Sequence, residues 1–206
     1  MGLRARRRWR GSAVTAVSVN DLRVATAQLG RPPRGLDAIA TRCPYGYPQV
    51  LTVHPVVDGA PFPTTFWLSC PHLVRAVDRL EADGWIALFE QRIANDPGFA
   101  EAYMAAHRRA VASRDERLGA ADRRRLAASG QLEALLMRGI GGITDRARVK
   151  CLHLHVAQAL VDSDEGLTAN PIGDAVLARL RSPACPPQEV ICSAFEKAEQ
   201  IGQPSS

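Results

Sequence analysis

Four things are scarce in this sequence, and each scarcity narrows its reading. No run approaches the roughly 18–20 consecutive apolar residues of a membrane-spanning helix. No Cys-x2-Cys pair occurs, although such pairs mark most structural zinc sites. The five cysteines are odd in number and irregularly spaced over 206 residues, which argues against a secreted disulfide framework and for reduced thiols. Lysine is nearly absent: only Lys150 and Lys197 stand among 26 basic residues. That arginine excess, with abundant alanine, points to a GC-rich genome and not to selection for nucleic acid.

What is present supports one folded unit. At 206 residues and 46% apolar content the chain can bury a core. The net charge of +5 is matched by five arginines in the first ten residues, Arg4, Arg6, Arg7, Arg8 and Arg10, so the remainder is near neutral. Residues 1–19 read as a disordered basic tail, able to touch nucleic acid or anionic lipid but more simply a solvated leader. The stretch after the arginines is short, weakly hydrophobic and without a clear cleavage site. It is therefore not a signal peptide, and the expected location is the cytoplasm. Residues 20–182 form the predicted single domain, and 183–206 a C-terminal extension with one helix near Glu189–Glu199.

Periodicity and punctuation give an α+β fold, predominantly helical, with one β-hairpin packed against several helices. Helices are expected at Val19–Leu29, Pro71–Ala82, Trp85–Asn95 and Phe99–Leu118, with one or two more over Ala121–Arg138 broken near Ser129-Gly130. The arginines Arg108, Arg109, Arg114 and Arg117 are expected on a solvated face. Gly139–Gly142 reads as a hinge before a helix that starts at Thr144 or Asp145. Asn170-Pro171 caps and opens a further helix, with Gly173 as a close-packing position. Gln49–Val57 and Thr64–Ser69 read as the two strands of the hairpin. Their ends would bring Cys43 and Cys70 side by side, and Cys70 would sit at the start of the Pro71–Ala82 helix, where the backbone N–H groups favour a thiolate.

The stretch Asp145–Leu160, DRARVKCLHLHVAQAL, concentrates the chemistry. Val149, Leu152, Val156 and Leu160 form an apolar stripe if the segment is helical. Cys151 and His155, four apart, would then share a face, while His153 lies at the stripe's edge. A thiolate and an imidazole one turn apart make half of a metal site, or a thiol with its base. Buried cysteines and hydrogen-bonded core histidines are the plainer explanation of the same residues.

The motifs RCPYGYPQV, PFPTTFWLSCP, VKCLH and NPIG, in this order, resemble the bacterial family designated domain of unknown function 501, over about residues 31–180. Its matching positions here are Cys43, Pro44, Gly46, Cys70, Pro71, Lys150, Cys151, His153, Asn170, Pro171 and Gly173. The resemblance implies a high-GC Gram-positive bacterium and a gene neighbourhood linked to cell division, but no activity. It favours His153 over His155 as the partner of Cys151, which requires the chain at Cys151–His153 to be extended or irregular.

Three functional expectations result. The first is a metal ion or iron–sulfur cluster held by Cys43, Cys70, Cys151 and His153, with His155 as the alternative to His153. The second is a helical interaction or scaffold protein whose cysteines only pack. The third is a thiol-dependent redox enzyme with Cys70 as nucleophile, His153 or His155 as base and Cys43 as resolving thiol. Cys185 and Cys192 receive no role from the sequence, and neither a reaction nor a protein partner is named by it.

Overall fold

The computed structural model describes residues 17–180 and 182–197. The arginine-rich start of the chain and its last nine residues lie outside that range. The first helix, α1 (Val19–Leu29), begins at Ser18, whose hydroxyl accepts from the Asp21 N–H while the Asp21 carboxylate accepts from the Ser18 N–H. This reciprocal cap satisfies two backbone donors at once.

Strand β1 (Leu36–Arg42) follows, then β2 (Pro48–Val53). A small tip hairpin, β3 (Val56–Val57) with β4 (Ala60–Pro61), leads to β5 (Phe66–Leu68). The main sheet is antiparallel in the order β1-β2-β5, with Ile39 opposite Leu51 and Leu51 opposite Trp67. The expected pairing of β2 with β5 is present. The third strand, β1, was not expected: LDAIATR is short and carries Asp37 and Arg42, which masks its alternation.

β2 is buried along its whole length because both faces of the sheet are covered. Successive side chains point to opposite faces. Leu51 packs with Ile39 and Ala25 beneath α1, while Val50 joins the main core. Into that core pack α2 (Pro71–Ala82), α3 (Trp85–Asn95), α4 (Pro97–Arg117), α7 (Leu152–Asp164) and α8 (Pro171–Arg179), while α5 (Ala120–Ala128) and α6 (Gln131–Met137) form a smaller cluster with Leu118. A short α9 (Ser193–Lys197) returns to α1. The fold is thus α+β and mostly helical. No described helix is long and apolar enough to cross a membrane.

The central helix is α7, which touches β5, α2 and α8. Gly173 sets the approach of α8, since a β-carbon there would overlap the His155 carbonyl. Asn170 caps α8 by accepting from the Ile172 and Gly173 N–H groups at 3.1 and 3.2 Å.

Two expectations are corrected here. The arginines of α4 are not simply a solvated face. Arg108 is exposed, but Arg114 is 1% exposed and donates to the carbonyls of Leu135, Arg138 and Gly139 at 2.8–3.1 Å. It thereby satisfies the Arg138 carbonyl beyond the end of α6 and adds a second donor to the other two. Arg109 pairs with the buried Asp162 at 3.0 Å. The second correction concerns α7, which begins at Leu152, not at Thr144 or Asp145.

Candidate metal centre

The late start of α7 builds the site. Residues 144–151 have no obvious helix breaker, yet their backbone is taken up by neighbouring elements. The Arg148 carbonyl accepts from the Tyr103 hydroxyl at 2.8 Å, and the Val149 N–H donates to Glu90 Oε1 at 2.9 Å. The Leu152 N–H, an unpaired donor of the first helical turn, donates to Glu81 Oε1 at 2.5 Å. Cys151 is left extended, at φ −163° and ψ 153°, as the N-cap of α7. It is outside the helix, so it does not share a helical face with His155. Its neighbour is His153.

Val74, Asp78 and Glu81 lie at i, i+4 and i+7 on α2, one stripe of that helix. His153 lies along this stripe. Its Nδ1 is 3.1 Å from Glu81 Oε1, and its Nε2 is 3.2 Å from Asp78 Oδ1 and 3.4 Å from the Val74 carbonyl. One ligand atom each from Glu81, Cys151 and His153 lie within 4.8 Å of one another, the single such trio of metal-ligating side chains among the described residues. All three are half-buried. Cys151 and His153 border a cavity of about 520 Å³ between α7, α2, α1 and β5, with Pro71, Val74 and Gln28 also on its wall.

The electrostatics are those of a crowded anionic corner. Burial lowers the pKa of His153, but its hydrogen bond to Cys151 and the charges of Glu81, Cys151 and Asp78 outweigh burial and hold it up at about 9. In the metal-free protein the imidazole is therefore a cation at neutral pH, balancing the groups around it.

His155 is two residues away and in the opposite condition. It is 1% exposed, its Nδ1 is 3.1 Å from Asn170 Nδ2, and its ring lies 5.4 Å from that of Tyr103. Burial first, and the nearby His107 second, push its pKa down to about 3. It is a neutral core residue tied to the cap of α8.

Cys43 and Cys70 lie outside the trio. Cys43 is half-buried in the turn between β1 and β2, where its N–H donates to the Tyr47 carbonyl at 2.9 Å. Cys70 is the N-cap of α2 and is 6% exposed. Burial pushes its thiol up to about 11, against the opposing pull of the Leu73 and His72 N–H groups, so the expected thiolate is not favoured there. Glu81 lies eleven residues along α2 from Cys70, about 16 Å at 1.5 Å per residue. Sequence reasoning missed Glu81 and Asp78. Their signal was an acidic pair three apart beside the buried face of α2, a pattern that solvated helices also show.

A family model described as protein of unknown function (DUF501) matches residues 39–178, about two thirds of the chain. The chain belongs to that family. The matched segment runs from β1 into α8 and contains Cys43, Cys70, Glu81, Cys151 and His153, but neither Cys185 nor Cys192. No curated protein and no solved structure matches the chain.

Proposed function

We propose that the protein binds one divalent metal ion, zinc by preference, through Glu81, Cys151 and His153. The convergence of these three ligand atoms beside the cavity carries the reading. Thiolate, imidazole and carboxylate are the donor types zinc accepts, and three protein ligands with one open position are the pattern of reactive sites. Asp78, paired with the far nitrogen of His153, would orient the ring and fix its tautomer. An ion held this way supplies Lewis acidity at the cavity wall. The five cysteines are free, in keeping with a reducing, cytoplasmic setting.

A second reading takes Cys151 itself as a nucleophile. The charged His153 and the acids Glu81 and Asp78 favour it, because they supply the imidazole and orienting carboxylates of a thiol triad. Cys151 replaces the more deeply buried Cys70 in that role. Elemental analysis of protein stripped with chelator and refilled with zinc separates the two. The metal reading predicts one zinc per chain, lost in Cys151→Ser and His153→Gln. No zinc, together with rapid alkylation of Cys151 by iodoacetamide, supports the thiol reading.

A further inference from the structure

A second group of sulfurs lies at the opposite end of α2, and the three consecutive carbonyls of Tyr47, Pro48 and Gln49 organise it. The Tyr47 carbonyl accepts from the Cys43 N–H at 2.9 Å, and the Gln49 carbonyl from the Cys70 N–H at 3.3 Å. Between them the Pro48 carbonyl accepts from Gln28 Nε2 at 2.8 Å, and the same nitrogen lies 3.3 Å from Cys192 Sγ. Cys185 is attached to this corner through its carbonyl, which accepts from the Tyr45 hydroxyl at 2.8 Å. Four of the five cysteines are thus gathered at this corner by three segments: the β1–β2 turn, the start of α2, and the irregular chain after α8, which carries two of them.

That last segment is the unexpected contributor. Residues 182–192 contain no helix or strand, yet Cys192 is 5% exposed. The segment is fastened at Ser182, whose carbonyl lies 3.0 Å from His72 Nε2, and beyond Cys192 at Glu196, which accepts from the Tyr47 hydroxyl at 3.0 Å. Three of the four cysteines precede proline: Cys43-Pro44, Cys70-Pro71 and Cys185-Pro186. A following proline disfavours the helical conformation of its predecessor, which keeps these thiols on turns and helix entrances.

The geometry points to an iron–sulfur cluster held by Cys43, Cys70, Cys185 and Cys192. Four thiolates are the standard ligand set of such clusters. A single zinc ion, with bonds of about 2.3 Å, would draw four thiolates to roughly 3.8 Å from one another. No three of these sulfurs lie within 4.8 Å of one another, so they do not form the closed tetrahedron of a single zinc ion. The site does not depend on the Glu81–Cys151–His153 centre, which shares none of its ligands.

The test is anaerobic reconstitution of the full chain with ferrous and ferric iron and sulfide, followed by iron and acid-labile sulfide analysis and visible absorption. The expected result is two or four irons per chain with equal sulfide, unchanged in Cys151→Ser and reduced at least fivefold in Cys43→Ser and Cys192→Ser. Alkylation mapping of the unmutated protein gives a readout free of folding defects. Cluster loading should protect the half-buried Cys43 and Cys185 from iodoacetamide while leaving Cys151 as reactive as before. A wild-type chain that takes up no iron and sulfide overturns the proposal. So does a single zinc bound by these four cysteines, or a cluster that survives Cys192→Ser and is lost in Cys151→Ser.

Discussion

His153 and His155 differ by two positions on one helix and by about six units of pKa, from about 9 to about 3. The first faces α2 and its acids at the cavity wall. The second faces Asn170, Tyr103 and the sealed interior. Both are histidines of α7, so residue type does not decide their condition. The difference is made by what each face of the helix meets. The cavity side concentrates negative charge that a cation must balance, whereas the interior offers one neutral partner and excludes charge. On the proposed reading the chemistry belongs to the first region and the stability to the second.

That division can be broken by mutation, and the interior should give the largest effects. Arg114→Met leaves the Arg138 carbonyl without its donor, at about 1–3 kcal/mol, and removes one of two donors from each of the Leu135 and Gly139 carbonyls, at about 1 kcal/mol each. A loss of about 3–5 kcal/mol is expected in urea unfolding, with zinc per folded chain unchanged. Asn170→Ala removes the cap of α8 and the partner of His155, with an expected cost of about 1–3 kcal/mol and again no loss of metal. On the other side, Asp78→Asn should weaken zinc 10–100-fold, the usual effect of removing a residue that orients a ligand, and change stability by less than about 1 kcal/mol. Competition with a chromophoric chelator measures it. Equal losses of stability and metal in all three variants would erase the distinction between the two regions.

The smallest effect, and the sharpest, is in pH. In metal-free protein the folded pKa of His153 is raised above the unfolded value of about 6.5. Its contribution to stability is therefore fully present below about pH 6.5 and is lost as pH rises through about 9. For His155 the folded value is depressed. Its contribution is present above about pH 6.5 and is lost as pH falls toward 3. NMR titration should show one imidazole changing near pH 9 and another still neutral at pH 5. Resonances assigned to His153 and His155 that titrate together near pH 6.5 would contradict both assignments.

Much of this arrangement is readable in the sequence where punctuation is strong. Pro71 and Gly84 bracket α2, and Val19–Leu29 and Trp85–Asn95 form helices over the bounds that spacing and breakers suggest. Gly173 packs closely, as its place after Asn170-Pro171 implies. The start of α7 was not readable, because its extended residues are held by Glu81, Glu90 and Tyr103, three distant side chains with no local signature. For the same reason helical spacing set Cys151 over His155, whereas the fold brings it beside His153, the histidine that the resemblance favoured. The corner containing Cys185 and Cys192 escaped because an irregular segment carries no periodicity, and its place is set by contacts to Tyr45, Gln28 and His72.

The most direct measurement is X-ray absorption at the zinc edge of the refilled protein. Ligation by Glu81, Cys151 and His153 predicts one sulfur among nitrogen and oxygen neighbours, with that sulfur and most of the zinc lost in Cys151→Ser. A shell of four sulfurs, or zinc retained unchanged in Cys151→Ser, would contradict the proposed centre.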